Sequence, residues 1–378
     1  MPESGSIQIR KASLADLYGI WLLSKQLLPD CQGISYENFQ RLWRHRCVQN
    51  PFQQVDDFLG YLLTTPEGSI KGFFGVIPLQ LQMRREVRRA VASCSWVVDP
   101  AYRTHGLTLF KEFILRNKED FLLVTTAGDV AAAVCEKFGA FEKVPIVDYE
   151  QRLIWWMSPK AAIKYKCKQR GGIYRLFAQE SFASSLAFLI QVRTFLRRSR
   201  IIPKGQGNHV ERISRFGKET DRFLETYQTQ FDIIQQKNSE FLNWRHLDIP
   251  SSKGVSQVFV SKNVAGEMNG YLVIRNIPPP EGYPGYFIVT DMMYDTSAPG
   301  IIGDLLYAAY EYVKEQRASL FEAFGLNRRI MEYCLQFRPD IKKRTHCTYW
   351  YKAPDEKTAA FCRTATWWPS GVDGDSLL

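Results

Sequence analysis

The sequence predicts a mixed α/β (α+β) protein with two tandem domains, each a mixed, mostly antiparallel twisted sheet flanked by helices. Three observations carry this prediction. The 378 residues, 45% of them hydrophobic, are enough for two packed domains rather than one. A Trp-Arg-His triplet occurs at 43–45 and again at 244–246, each time followed by a proline and a hairpin pattern. Alternating strand and helix patterns follow both hairpins.

The predicted organisation has four parts. Residues 1–157 form an N-terminal domain, 158–209 a basic and partly helical connector, 210–353 a C-terminal domain, and 354–378 a tail.

The N-terminal domain opens with a short strand and a helix, because Ser13 and Asp16 have the spacing of a capping box. A hairpin of strands at 58–64 and 70–79 follows, joined by a turn around Gly68.

A candidate anion site lies where the next strand ends, at Asp99, and a helical run begins after Gly106. The first N–H groups of a helix have no intrahelical partner and lie at the positive end of its dipole, so phosphate binds there readily. Gly106 lets the backbone approach an anion, and Arg103 can add charge-assisted hydrogen bonds of about 1.5–3 kcal/mol each. Residues 109–114 then form an apolar helical face, 121–124 a buried strand and 130–138 a second helix.

This order of strand, Arg-x-x-Gly loop, helix, strand and helix resembles the acetyl-CoA-binding core of the GNAT acyltransferase superfamily. The opening at 7–16 resembles the first strand and helix of the same family. In the family the loop ends in Gly or Ala, whereas Thr108 stands here. The resemblance implies acetyl-CoA or another acyl-CoA as cofactor, with its pyrophosphate on the loop amides. The residues that it implies for cofactor binding are Val97, Val98, Arg103, Thr104, His105, Gly106, Leu107 and Thr108.

The second domain is predicted to repeat the pattern as a degenerate GNAT-like half. Its strands are expected at 257–261, 270–275, 286–294 and 319–323, and its helices at 301–316 and 327–337. Its loop at 296–300 has no arginine and contains Pro299, which lacks an N–H group. We therefore expect the coenzyme in the first half only, with the second half forming one wall of an acceptor groove.

Acyl transfer from a thioester to an amine needs mainly positioning and removal of a proton. The resemblance implies a tyrosine that protonates the departing thiolate, and Cys135 stands at that position. It also implies a carboxylate base near the central strands, for which Asp99 is the nearest candidate. Each has a structural alternative, as a small apolar filler and as a turn residue. The spacing of histidines and cysteines indicates no metal site.

The net charge of +10 is concentrated in the connector, where residues 151–204 hold twelve basic residues and a single acid, Glu180. An apolar run at 182–196 ends in the basic segment 197–200, a composition typical of a helix on an anionic membrane surface. Packing between the two halves is the alternative. With neither a signal peptide nor a membrane-spanning run, we expect a cytoplasmic protein, peripheral to the inner face of the membrane if the helix binds lipid.

The leading hypothesis is an acetyl-CoA-dependent N-acyltransferase acting on a primary amine of a small molecule or amino sugar. One alternative is an aminoacyl transferase similar to the Fem type, which uses charged transfer RNA and would place nucleic acid on the basic connector. The other is a catalytically silent protein that keeps the fold and binds a ligand. Among partners, nucleic acid is less expected than a small acceptor, and the sequence does not indicate an oligomeric state.

Overall fold

A computed structural model of the chain describes most of its residues. The described ranges are 7–28, 31–56, 58–138, 141–146, 149–170, 179–196, 208–250, 254–277, 285–298, 300–337, 339–343 and 348–370.

Helices and strands alternate along the described chain. The α-helices are α1 (Leu17–Leu27), α2 (Tyr36–Trp43), α3 (Gly106–Arg116), α4 (Asp129–Phe138), α5 (Pro159–Arg170), α6 (Glu180–Leu196), α7 (Lys218–Tyr227), α8 (Ser239–Leu242), α9 (Gly300–Glu315), α10 (Arg328–Leu335) and α11 (Glu356–Thr364). The strands are β1 (Gln8–Ala12), β2 (Gly60–Thr64), β3 (Ile70–Met83), β4 (Glu86–Val98), β5 (Phe121–Ala127), β6 (Glu142–Lys143), β7 (Gln151–Trp156), β8 (His209–Ile213), β9 (Ile233–Gln235), β10 (Ser256–Lys262), β11 (Met268–Ile277), β12 (Tyr286–Tyr294), β13 (Leu320–Phe324), β14 (Asp340–Lys343), β15 (Thr348–Lys352) and β16 (Trp367–Trp368).

The strands form two sheets, and the corresponding strands of the two sheets follow the same spatial order. The first sheet runs β1-β2-β3-β4-β5-β15-β6 and also includes β9 and β16, while the second runs β8-β10-β11-β12-β13-β7-β14. Along both paths every neighbouring pair is antiparallel except β4 with β5 and β12 with β13, which are parallel. The predicted mixed, mostly antiparallel architecture is therefore confirmed.

Each half of the chain contributes strands to the sheet of the other half. β7 belongs to the first half in sequence but lies between β13 and β14 of the second sheet, with Trp155 opposite Phe321. β15 lies between β5 and β6 of the first sheet, with Tyr351 opposite Leu123. The domain boundaries at 157 and 353 therefore stay predictions. They divide the chain in sequence, whereas β7 and β15 are each hydrogen-bonded to strands of the other half.

The repeated Trp-Arg-His triplets lie at the junction between the halves. Each falls in or next to a π-helical turn, Arg44–Val48 or Asn243–Leu247. The indole Nε1 of Trp244 donates to the backbone oxygen of His45 at 2.8 Å, and the two rings stack with centroids 5.3 Å apart. Trp43 and Trp244 are both buried in the main core, which draws side chains from both halves.

The connector begins with two helices that pack on each other. Ile163 of α5 is buried against Ala183 and Ala187 of α6. Residues 171–178 and 197–207, including the basic segment 197–200, lie outside the described residues. None of the helices that the structure describes is long and apolar enough to cross a bilayer.

Candidate functional site

The central feature of the first sheet is a gap between its two parallel strands. β4 and β5 pair only from Ala90–Phe121 to Ala92–Leu123. Beyond that point β4 bulges at Ser95, which has a φ of 51°, while β5 continues along β15 instead. A bulge re-aims a strand and ends its pairing. As a result, the two strands diverge and open a groove in the middle of the sheet.

The groove contains a cavity of about 100 Å³. Its lining residues are Phe74, Ser93, Cys94, Ser95, Trp96, Phe110, Val124, Thr126, Ala127, Ala131 and Cys135. The rings of Trp96 and Phe110 stack along one side, with centroids 5.6 Å apart and an angle of 14° between them. Three hydroxyl side chains lie among apolar groups, an arrangement typical of small-molecule sites.

The N-terminus of α3 lies beside this cavity, although not as the open loop that the sequence predicts. Asp99 accepts a hydrogen bond from the N–H of Ala101 at 3.0 Å, and Pro100 begins a 3-10 helix that runs through His105 directly into α3. Proline at the first helical position favours this winding. One amide of the expected cradle is already used, because the Gly106 N–H donates to the carbonyl of Arg103.

Gly106 has no structural reason within the protein to be glycine. Its backbone has φ −58°, which any residue adopts. An added Cβ would lie 3.6 Å from Val98 Cγ2 and 3.8 Å from the Trp96 ring, both ordinary contacts. The space that the missing Cβ leaves faces Trp96, and Trp96 also lines the cavity. The helix end therefore lies next to a residue that also lines the cavity.

The remaining candidate residues for cofactor binding lie around this point. Arg103 is exposed and has no ion pair or hydrogen-bond partner among the residues that the structure describes. Thr104 and Thr108 are exposed, whereas His105 and Leu107 are half-buried. Val97 and Val98 end β4, opposite Phe73 and Gly72 of β3. The predicted residues thus lie at the end of β4 and the start of α3, next to Trp96, and the exposed cation among them is Arg103.

The two candidate catalytic residues have different surroundings. Cys135 is buried and lines the cavity, and burial raises the pKa of its thiol to about 12. It therefore stays protonated at neutral pH and is not a nucleophile there. Asp99 caps the 3-10 helix, its Oδ2 lies 3.6 Å from Lys71 Nζ, and it is not among the residues that line the cavity. Its contacts give Asp99 a structural role at the end of β4.

The residues that shape the groove, Ser95 and Trp96, were not predicted from the sequence. No glycine marks the bulge, although the small run Ser93-Cys94-Ser95 in an otherwise bulky apolar strand is a signal that could have located it.

The second sheet has the same divergence with different contents. β12 and β13 pair only from Tyr286–Leu320 to Val289–Ala323, and β12 is irregular at the same point of its ladder with β11. Asp291 follows the irregularity and is fully buried. Its carboxylate lies 2.6 Å from Lys237 Nζ, 3.1 Å from the hydroxyl of Tyr271 and 3.4 Å from His246 Nε2.

Burial and charge set the protonation states of this buried ion cluster. Burial is the largest single influence on Asp291 and opposes its ionisation, but Lys237 and His246 together outweigh it and hold the pKa of Asp291 far below its usual range. Burial lowers the pKa of His246 to about 4, even though Asp291 pulls in the other direction. At neutral pH the cluster therefore holds an ionised carboxylate, a lysine cation and a neutral imidazole.

The start of α9 in the second half is acidic where the start of α3 is basic. Asp295 accepts hydrogen bonds from the N–H and the hydroxyl of Ser297, at 2.9 and 2.6 Å. Asp304, one turn into α9, is buried and accepts from Asn208 Nδ2 at 2.6 Å. Pro299, on which part of the prediction rested, lies outside the described residues. Two carboxylates at this helix end disfavour a diphosphate.

Comparison with known proteins establishes the fold. No protein-family model matches the sequence, and a comparison with curated proteins finds no match. Among solved structures, the chain is similar to Saccharomyces cerevisiae N-myristoyltransferase with bound myristoyl-CoA, at 14% identity and a TM-score of 0.53 over 93% of this chain and 81% of that one. It is also similar to a probable N-acyltransferase from Enterococcus faecalis, at 12% and 0.57 over 92% and 73%. A third is a GCN5-related N-acetyltransferase from Anabaena variabilis, at 10% and 0.53 over 92% and 73%. The chain therefore has a GNAT-like fold.

Proposed function

We propose that the protein is an acyl-CoA-dependent N-acyltransferase that transfers a short acyl group, acetyl in the first instance, to a primary amine of a small molecule or amino sugar. The single observation that carries the proposal is the groove between β4 and β5, whose cavity is lined by Trp96 next to the N-terminus of α3. The solved structures that share the fold support the reaction class, since they are an N-myristoyltransferase with bound myristoyl-CoA, a probable N-acyltransferase and a GCN5-related N-acetyltransferase.

The residues at the groove suit a coenzyme that has a diphosphate group and a narrow, extended chain. The exposed guanidinium of Arg103 can pair with the diphosphate, and the absence of a side chain at Gly106 lets phosphate oxygens approach the backbone. Beyond Ala92, the edge of β4 that faces the groove is unpaired with β5, so its peptide groups can bond to a ligand amide. When bound, an acyl-CoA supplies an already activated thioester.

The size of the cavity supports a short acyl group. About 100 Å³ is well below the ~300–1,000 Å³ of pockets that hold drug-sized ligands. The stacked rings of Trp96 and Phe110 and the buried Phe74 close it on one side. A long acyl chain would have to displace these rings from the packed core. Such a displacement costs free energy, because a close-packed interior leaves no room for extra atoms.

Direct attack by the amine fits the surroundings of the candidate catalytic groups. Cys135 is held as a neutral thiol, so a covalent intermediate on it is disfavoured. The groove supplies position rather than a nucleophile, which is adequate because the thioester is already reactive.

Isothermal titration of the full chain with acetyl-CoA tests the proposal. We expect binding that weakens at least about tenfold in Arg103→Ala, the equivalent of about 1.4 kcal/mol or one charge-assisted hydrogen bond. Arg222→Ala is the matched control, since Arg222 is an exposed arginine on α7 of the second half, and its affinity should equal that of the wild type.

A thiol-release assay with a panel of amines and acyl-CoA chain lengths then measures turnover. Absence of acetyl-CoA binding, or equal binding by the Arg103→Ala and wild-type proteins, would contradict the site. Coenzyme binding without turnover on any amine would favour the catalytically silent protein. Salt-sensitive binding of transfer RNA without coenzyme affinity would favour the aminoacyl transferase.

A further inference from the structure

The α5–α6 hairpin of the connector has its large apolar side chains on the outside. Leu186, Phe188 and Leu189 of α6 are 41%, 64% and 61% exposed. The buried side of the same helix is formed by Ala183 and Ala187, which are 0% and 4% exposed. A surface helix of a soluble protein normally has the reverse arrangement, with its larger apolar residues facing the core.

Small residues at the helix pair and large ones outside are typical of helices that meet lipid. Ala183 and Ala187 are four residues apart, so they lie on one face and let α6 approach Ile163 of α5 closely. Leu186 and Leu189 are three residues apart and share an exposed face. Contiguous apolar exposure of this kind marks a contact surface rather than scattered surface residues.

The charge of the connector sequence indicates which surface this face contacts. Residues 151–204 hold twelve basic residues against one acid, a local charge of +11 in a protein whose total is +10. An anionic leaflet attracts such a segment, and it also accepts a straight helix along its length without a matching groove. Since no described helix can cross a bilayer, the helix would lie in the plane of the interface.

We propose that the exposed face of α6, defined by Phe182, Leu186 and Leu189, which are spaced i, i+4 and i+7 and are 55%, 41% and 61% exposed, docks the protein on an anionic phospholipid surface. The basic residues of the connector supply the electrostatic attraction, and the three apolar side chains enter the boundary between headgroups and acyl chains. This proposal does not rest on the acyltransferase function, because the residues involved are separate from those that line the groove.

Vesicle co-sedimentation of the full chain tests it. We expect binding to vesicles that mix phosphatidylserine with phosphatidylcholine, little binding to phosphatidylcholine alone, and loss of binding as salt is raised. The double variant Leu186→Ser with Leu189→Ser should bind the anionic vesicles at least about tenfold more weakly, because it removes two inserting side chains. The matched control is Leu22→Ser with Leu115→Ser, which changes two exposed leucines on other helices and should bind as the wild type does.

Circular dichroism and the thermal midpoint show whether the double variant folds, and we expect no change because both leucines are exposed. No binding of the wild type to anionic vesicles at low salt overturns the proposal, as does equal binding to neutral vesicles. Unchanged binding by the folded double variant overturns it as well. If sedimentation shows a dimer that the double variant splits, the face belongs to a second copy of the chain and the proposal fails.

Discussion

The two halves share a sheet order and a diverging parallel pair of strands, yet the space at that divergence is used in opposite ways. In the first half it is an uncharged cavity, lined by Trp96 and next to a helix end where the exposed Arg103 has no partner among the described residues. In the second half, Asp291 next to the divergence is closed into the buried ion cluster, and the helix end is acidic. The same topology therefore supports a ligand groove in one half and a structural network in the other.

Where two paired strands diverge, backbone hydrogen bonds between them are lost, and other interactions must replace them. In the first half we propose that a coenzyme replaces them, whereas in the second the side chains of the protein fill the neighbouring space. The difference makes separable predictions, since changes in the second half should affect stability and changes in the first should affect binding.

The largest expected effect is on the buried ion cluster. Lys237→Met leaves the Asp291 carboxylate buried without its cation, and we expect a loss of about 3–5 kcal/mol in the free energy of unfolding. Urea denaturation followed by circular dichroism measures it. Lys262→Met is the matched control, because Lys262 pairs with Glu211 and Glu219 near the surface and should cost only about 0.2–1 kcal/mol.

If Lys237→Met lowered the free energy of unfolding no more than Lys262→Met does, the buried ion cluster would be hydrated in solution. The contrast between the two halves would then be lost. Unchanged acetyl-CoA affinity in the folded fraction is also expected, because Lys237 belongs to the second half.

The next effect is a pH dependence from His246. Its pKa is lowered to about 4 in the folded protein, against about 6.5 in the unfolded chain, so the unfolded chain binds the extra proton between these values. Stability from this group is present above about pH 6.5 and declines by about 1.4 kcal/mol per pH unit as the pH falls towards 4. For each protein, the urea midpoint is compared with its own value at neutral pH. As the pH falls, the midpoint of His246→Leu should decrease less steeply than that of the wild type.

His209→Leu provides the control for this series, because His209 lies at the surface of β8 and has a side chain that is 72% exposed. The interpretation fails if His246→Leu and the wild type lose stability in parallel between pH 6.5 and 4.5, since His246 would then take up its proton equally in both states.

How much of this the sequence could predict differs between the elements and the site. The strand predicted at 286–294 is β12, and the helix predicted at 301–316 is α9 within one residue at each end, because apolar periodicity records burial directly. The exchange of β7 and β15 between sheets was not predictable, since their apolar patterns fit either sheet equally well. The Arg103–Gly106 segment stays a predicted coenzyme site, and its 3-10 winding was not predicted because it depends on the capping contact of Asp99.

A smaller effect separates the two helix ends. Gly106→Ala should leave stability unchanged or raise it by up to about 1 kcal/mol, because the added Cβ meets only ordinary contacts and alanine favours the helix. It should weaken acetyl-CoA binding at least about tenfold, because the methyl group occupies the space in which we place the diphosphate. Gly300→Ala, at the start of α9, is the control and should not change the affinity. Equal affinities for both variants and the wild type would move the coenzyme away from α3.

The smallest expected effect concerns the two buried cysteines, Cys135 in the first half and Cys334 in the second. Burial raises the pKa of each thiol to about 12, so proton transfer from Cys135 would leave a thiolate in an apolar cavity. We therefore expect Cys135→Ala to lower turnover less than about threefold, which corresponds to less than about 0.7 kcal/mol of barrier. Cys334→Ala should change turnover equally little. A hundredfold drop for Cys135→Ala alone, with unchanged coenzyme affinity, would instead show that its S–H group acts on the departing thiolate. The two halves would then differ in chemistry as well as in shape.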